Sequence, residues 1–469
     1  MKKALNGKDL RREIGWFSAT ILVIANMIGT GIFTTSGFIM AELQDARALL
    51  LCWLGGGLFA LCGALCYAEL GARYPQAGGE YIFLREAFGK LPAFLSGWIS
   101  LIVGFSAPIA AAAMALAGYT FQAAALPTGR VFSLRLGDFT LATLSRPNLL
   151  AIAAICVFSL IHYHSLRLGS WVQNFLTLFK IVLILFFITA GLCSDQGSFH
   201  HCEVVGGQAW SAGNFAVALI FVSFSYSGWN AAAYLGSEIV RPQRNLPRAL
   251  IVGTLVVMVF YLLLNTVYLY AVPAPEMAGV MEIGARAAAN LFGVSHSRWF
   301  SGAVALGILS VLSAMIITGP RIYYAMARDG IFFPAFGSLN PEHRTPAAAI
   351  FLQAGLAALM VLSASFETLL IYIGFTLSLF ASLTVIGLLR IRRRDGVPAG
   401  TGYRTWGYPV TPWLFILGNL WIISFSVCHR PVAALIGFGT IAAGLIIYLG
   451  FARRHASIQI ARAKTFARE

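Results

Sequence analysis

The chain has 469 residues, of which 58% are hydrophobic and only 11% charged, with a mean hydropathy of +0.78. A soluble domain carries about twice that share of charge, so the composition excludes an ordinary soluble enzyme or binding domain and indicates a polytopic membrane protein. The net charge of +15 invites a nucleic-acid reading, but its distribution argues against one.

Uncharged apolar stretches recur near residues 14–40, 49–68, 92–122, 148–161, 170–193, 209–235, 249–275, 299–320, 346–366, 368–389, 406–428 and 431–451. Most approach the length a ~30 Å hydrocarbon core demands of a helix, giving about twelve spans in an all-α fold. Residues 283–297 read as a short surface helix before the eighth span. The first span lacks a signal-peptide cleavage pattern and is expected to persist in the mature protein. With twelve spans and both termini cytoplasmic, Arg47, Arg130, Arg135, Arg146, Arg286, Arg298 and Arg430 lie outside and Lys180 lies within the membrane. All other Lys and Arg fall in the cytoplasmic tails and loops. That asymmetry is the positive-inside pattern. It points to a cell membrane, inner or plasma, with basic tails that meet anionic lipid rather than nucleic acid.

The first span is broken in its middle by Ile28-Gly29-Thr30-Gly31-Ile32-Phe33. Gly costs about 1 kcal/mol relative to Ala in a helix interior, and unpaired backbone is tolerated at membrane depth only when buried in protein or lining a cavity. Two readings stand at this point: close helix packing through small residues, or a binding site made of backbone groups. Further along, Glu69 and Glu80 flank the inner loop 71–90 with Arg73, Arg85 and Lys90, either as a gating set or as a solvated surface. His162 and His164 sit at the end of span four and read as interfacial. Lys180 is the only basic residue in a core span, and no Asp or Glu lies in any of them. A mid-membrane lysine costs ~2.5–3.5 kcal/mol on insertion scales unless its neighbours satisfy it. Its place near the middle of segment 170–193 disfavours snorkelling to an interface.

The seven cysteines form no metal pattern. Cys193 and Cys202 flank an outer loop and could pair. No catalytic motif is found, so neither an enzyme nor a cofactor or metal is expected. Span six carries the second break, Ser223-Phe224-Ser225-Tyr226-Ser227-Gly228-Trp229-Asn230. Breaks in spans one and six, at matching places of two five-span halves, are the pointer to an inverted-repeat transporter. Amides at the start of the half-helix near Ile32 favour an anion, and carbonyls at the end of the one near Phe224 favour a cation. A ligand carrying both charges, an α-amino acid, fits the two ends.

These residues resemble the amino acid–polyamine–organocation transporters, in particular their L-amino-acid branch, over nearly the whole chain. The likeness also rests on Tyr67-Ala-Glu-Leu-Gly-Ala-Arg-Tyr-Pro-Gln-Ala-Gly-Gly-Glu-Tyr81, Phe88-Gly-Lys-Leu-Pro-Ala-Phe-Leu95, Ser227-Gly-Trp-Asn230 with Glu238, Pro242-Gln-Arg-Asn-Leu-Pro247 and Arg321-Ile-Tyr-Tyr-Ala-Met-Ala-Arg-Asp-Gly330. The resemblance implies a leucine-transporter-like fold and alternating access. The expected divisions are a tail 1–13, inverted repeats 14–200 and 201–392, two peripheral spans within 393–453, and a tail 454–469.

The resemblance further implies that Ile28, Gly29, Thr30 and Gly31 hold the substrate carboxylate. Phe224, Ser225, Tyr226 and Ser227 then line the ammonium and side-chain end, Phe224 caps the site, and Tyr261 matches a seventh-span tyrosine. Thr30 replaces a common serine, and Ser225 and Ser227 stand where alanine and glycine are frequent. Lys180, in Gln173-x-x-x-Thr177-x-x-Lys180, matches a lysine that stands in for a structural sodium ion. Its expected partners are carbonyls of span one and a hydroxyl of span eight, Ser313 or Ser310. The expected function is sodium-independent transport, by exchange or facilitated uptake, of neutral L-amino acids, since the core offers a cationic side chain no carboxylate. Proton-coupled symport, cationic amino acid or polyamine antiport, and an amino-acid sensor without flux are the alternatives. The loop 123–147 has no cysteine, so no glycoprotein subunit is expected.

Overall fold

In a computed structural model of the protein, residues 12, 14–76, 78–136, 139–164, 166–202, 211–340, 345–396 and 402–466 are described. The basic residues of the N-terminal tail before Arg12, Arg344 and the Cys202 side chain lie outside that set, as does any test of a Cys193–Cys202 bond.

The chain is helical almost throughout. In order come α1 (Trp16–Met27), α2 (Gly31–Leu43), α3 (Ala46–Arg73), α4 (Glu80–Phe88), α5 (Lys90–Ile99) and α6 (Ala107–Ala123), followed by α7 (Arg146–His164), α8 (Leu166–Leu192) and α9 (Ala212–Ser225). Then follow α10 (Pro242–Ala271), α11 (Ala274–Met277), α12 (Ile283–Phe292), α13 (Val294–Arg328), α14 (Ala347–Ser363), α15 (Phe366–Asp395), α16 (Val410–His429) and α17 (Pro431–Phe466). Among the described residues, nine helices or joined helices are long and apolar enough to cross a membrane, and the bent pair α1–α2 makes a tenth. The sixth and ninth apolar stretches form the shorter helices α9 and α14. Each of the twelve stretches therefore falls on a helix, and the protein is an all-α, multi-pass membrane protein.

Packing follows the small residues. α6 reads APIAAAAMALAG at its start, and Ala110, Ala111, Ala112, Ala113, Ala115 and Ala117 are buried. Residues that small let helix backbones approach where lipid offers no hydrophobic drive, and α6 lies along α13. Likewise α2 packs on α9, α3 on α10 and α7 on α14, so four stretches each meet the one five places later.

Three features differ from the sequence reading. The third stretch is one long helix relaid at its centre, where Ser100–Ser106 forms a π-helical turn between α5 and α6. The loop 123–147 contains an antiparallel hairpin, Phe132–Leu136 with Phe139–Leu144. The segment before α13 is not a plain surface helix: α12 buries Ile283, Ala285, Ala287, Ala288 and Leu291, and ends at Phe292.

Candidate functional site

The site begins where α1 stops. Ile28 leaves helical geometry (φ −72°, ψ 83°), and α2 restarts at Gly31 with its axis bent 42° from α1. The break strands carbonyls at the end of α1 that have no helical amide to take. Two side chains take them instead. The Lys180 ammonium, from the middle of α8, donates to Ala25 O at 3.1 Å and to Ile28 O. The Tyr261 hydroxyl, from α10, donates to Met27 O at 2.6 Å, with Ser225 O beside it at 2.9 Å. A cation at a helix C-terminus is favoured by the helix dipole, and Lys180 is 1% exposed. Its alkyl stem lies along α13, where a methyl group on Gly307 would stand 3.6 Å from the Lys180 Cγ. One lysine thus spans α8, α1 and α13.

The second break lies against the first. α9 ends at Ser225, and the chain continues through turns and a 3₁₀ stretch, Ala231–Leu235, before α10. No second α-helical half of this stretch forms between residues 226 and 241. Glycines set the approach of the two breaks. A Cβ on Gly31 would fall 2.6 Å from Ser225 Cα, and one on Gly228 (φ +98°) would fall 2.8 Å from the Asn26 carbonyl carbon. Only glycine allows backbone that close, and φ > 0 adds a second reason at Gly228. Trp53, Tyr226 and Tyr261 pack as a buried aromatic cluster behind the junction, with ring centroids 4.9–5.9 Å apart.

Beside this junction lies a cavity of about 120 Å³, whose walls include Asn26, Glu80, Phe105, Phe224, Ser227 and Asn230. A water needs roughly 10–15 Å³ on that measure, so the space takes a group of several water-sized parts. Phe224, Tyr226 and Ser227 line it, as does Ser223. Ile28, Thr30, Gly31 and Tyr261 are buried and Gly29 is half-buried, and none of the five is part of the cavity wall. Ser225 is also outside that wall. Its hydroxyl donates to Phe221 O at 2.9 Å and stands 2.8 Å from Thr35 Oγ1, so it joins α2 to α9 rather than facing a ligand.

Two further expected contacts differ. The Ser310 hydroxyl donates to Gly307 O of its own helix at 2.7 Å, and Ser313 Oγ stands 3.0 Å from His162 Nε2. Helical serines have this local option of bonding back to the preceding turn. The recorded acceptors of Lys180 are therefore carbonyls of α1, not these hydroxyls. His162 is buried within the protein, 1% exposed, whereas His164 is exposed.

Glu80, which the sequence leaves open as part of a gating set or of a solvated surface, takes a place at the cavity that the sequence does not show. It opens α4, between the second and third apolar stretches. The chain turns at Gly78-Gly79 and lays it beneath the cavity. Glu80 Oε1 accepts from Tyr67 Oη at 2.7 Å and from Asn230 Nδ2 at 3.0 Å. Burial pushes its carboxyl above the usual carboxylate range, and these two hydrogen bonds pull it partly back. The premise that no carboxylate reaches the cavity is thereby corrected.

Glu69, near the same end of the molecule, is no solvated loop residue either. It is 1% exposed. It meets Arg73 at 2.8 Å, Arg392 of α15, and both the amide and hydroxyl of Thr405, at 2.9 and 2.8 Å. Next to it, Tyr81 donates to Asp329 Oδ2 at 2.6 Å, and Arg85 reaches Asp329 at 3.5 Å. These contacts tie α3, α4, α13 and α15 together below the cavity. Ahead of α1, Ile14 forms a backbone bridge with Ile239.

A family model described as amino acid permease matches residues 14–451. The chain is 30% identical over 457 residues to the serine/threonine exchanger SteT of Bacillus subtilis, covering 96% of this chain and 98% of that one. It is 30% identical to the b(0,+)-type amino acid transporter 1 of Mus musculus, over 83% of this chain and 78% of that one. It is 28% identical to the large neutral amino acids transporter small subunit 2 of Homo sapiens, over 94% and 81%. The broken-helix junction, its cavity and these similarities together place the chain in the amino acid permease family of the amino acid–polyamine–organocation superfamily, in its L-amino-acid-transporter-like branch, as a membrane transporter of amino acids and not an enzyme.

Proposed function

We propose that the protein exchanges neutral L-amino acids across the cell membrane without sodium, by alternating access, with both termini cytoplasmic. The observation that carries this reading is the Lys180 ammonium on Ala25 O and Ile28 O. A tethered cation there fills the place a structural sodium ion would take and makes an ion gradient unnecessary at that position. The substrate carboxylate is assigned to the amides that open α2 around Thr30 and Gly31, which the family resemblance points to; they stand outside the wall of the present cavity and have to be uncovered during the transport cycle. Its ammonium meets the carbonyl end of α9 at Ser223 and Phe224, and its side chain lies between Phe224, Tyr226 and Ser227. The offset packing of α2 on α9, α3 on α10, α6 on α13 and α7 on α14 supports an inverted repeat of 14–200 on 201–392. Residues 393–453 then add two peripheral helices.

Exchange is favoured by the likeness to a protein named a serine/threonine exchanger. Neutral substrates are favoured because the Phe224–Ser227 end of the cavity holds aromatic rings and hydroxyls. A cationic side chain there gains only ~0.5–2 kcal/mol from an aromatic face. The loop 123–147 has no cysteine, which supports function without a disulfide-linked glycoprotein partner. The test is uptake of labelled alanine, serine and leucine into proteoliposomes, each with and without unlabelled amino acid inside and with arginine as competitor. Stimulation by internal neutral amino acids and weak competition by arginine support the reading. Dominant competition by arginine contradicts neutral selectivity, and binding without flux would instead indicate a sensor.

A further inference from the structure

We propose that Glu80 is a proton-binding site of the transport cavity, taking up one proton when the cavity closes around a zwitterionic amino acid and releasing it when the cavity opens to water. This rests on the amino-acid exchange reading and adds a second ligand to the same cavity. The geometry is that of a half-satisfied carboxylate. Glu80 is 8% exposed and forms part of the cavity wall. Both of its hydrogen bonds, from Tyr67 and Asn230, go to Oε1. Among the described residues Oε2 has no protein hydrogen-bond partner, and it belongs to a residue of the cavity wall.

No cation balances Glu80 among the described residues. The titratable neighbours facing it are the phenols Tyr67 of α3 and Tyr234 of the 3₁₀ stretch. On its own helix, Arg85 is paired with Glu86 and Asp329, and Tyr81 donates to Asp329. On α15, Arg390 stacks over Phe88, and Arg394 donates to the Glu86 carbonyl and pairs with Asp395. Lys90, at the start of α5, is exposed. Glu69 is held by Arg73 and Arg392. Lys180 is bound to the carbonyls of α1 and is not part of the cavity wall.

Closing the cavity over a bare carboxylate carries the desolvation cost of an ion with no partner to offset it. A zwitterion brings no net charge to cancel it. A proton does: one O–H bond forms at Oε2, the donating water or hydronium loses that proton, and the carboxyl becomes neutral. Burial favours this neutral form.

The experiment is exchange of labelled against unlabelled L-serine or L-leucine in proteoliposomes, at equal pH on both sides, from about pH 5 to about pH 9. With one proton required, exchange falls as pH rises past the Glu80 titration, approaching about tenfold per pH unit. Glu80→Gln, fixed in a neutral form, gives a flat profile, and Glu80→Asp keeps a profile with a displaced midpoint. A flat wild-type profile overturns the proposal. So does a Glu80→Gln profile that repeats the wild-type fall, which would assign the proton to another group such as Lys180. If Glu80→Gln carries no flux, the thermal shift induced by serine or leucine in detergent over the same pH series replaces it, with the same two deciding outcomes. Exchange that is absent at every pH while the thermal shift stays pH-dependent contradicts the exchange reading and leaves the proton site standing.

Discussion

Replacing Lys180 by methionine removes the ammonium and keeps most of the stem that lies along Gly307. Two charge-assisted hydrogen bonds to Ala25 O and Ile28 O disappear. Hydrogen bonds to charged groups contribute about 1.5–3 kcal/mol each, so the gross loss is about 3–6 kcal/mol. Against it stands the cost of holding an ammonium at mid-membrane, ~2.5–3.5 kcal/mol. The net is about 0.5–2.5 kcal/mol, concentrated on the last turn of α1, where the site is built. At about 1.4 kcal/mol per factor of ten, exchange in Lys180→Met falls roughly 2- to 60-fold. Lys180→Ala falls further because it also empties space against α13. The assay is initial-rate exchange in proteoliposomes, with melting temperature in detergent confirming that each variant is folded. A folded Lys180→Met protein with wild-type rate and KM would refute the argument that the ammonium holds α1.

Gly31→Ala inserts a methyl group 2.6 Å from Ser225 Cα. Overpacking of this kind costs about 1–3 kcal/mol, so exchange should collapse in a protein that still reaches the membrane; full activity would show that the two breaks need not touch. Tyr261→Phe leaves Ser225 O without its donor and Met27 O with the Gly29 amide alone, and a buried acceptor left unpaired costs about 1–3 kcal/mol, expected as a lower rate in the same exchange assay. Ser227→Ala should change the relative KM for serine and leucine, since Ser227 is in the cavity wall. Ser225→Ala should instead lower the melting temperature by loosening α2 from α9. Glu69→Ala strands Arg73 and Arg392 in a buried setting. Breaking a buried pair costs about 3–5 kcal/mol, read as a large drop in melting temperature.

Much of this architecture is legible in the chain because the membrane punishes local exceptions. Two glycines around Thr30 in an uncharged stretch must be protected by protein or open to a cavity, and they sit where α1 and α2 part. A lone lysine in segment 170–193 must find acceptors, and a broken helix has spare carbonyls. What sequence does not carry is the direction a side chain takes once a helix has stopped. Ser225 and Ser227 are equally polar in the sequence, yet Ser225 falls on the α2-facing side and Ser227 on the cavity. Ser310 and Ser313 offer hydroxyls at plausible places in α13, but a helical serine can satisfy itself on the preceding turn, or on a histidine that the sequence places at an interface. Glu80 was hidden for the opposite reason. An acid in a loop reads equally as a gating residue or a solvated one, and only the reversal at Gly78-Gly79 folds it against the cavity. The π-helical turn at Ser100–Ser106 and the hairpin at 132–144 left no periodicity strong enough to find.

The central claim is that a built-in ammonium replaces sodium in an amino acid exchanger. The most direct measurement is exchange of labelled serine and leucine in proteoliposomes with sodium present on both sides, absent from both, or imposed as an inward gradient. Equal exchange in all three conditions, dependent on internal unlabelled amino acid, is the predicted result. Uptake that requires sodium, or that a sodium gradient drives in the absence of internal amino acid, would contradict the account.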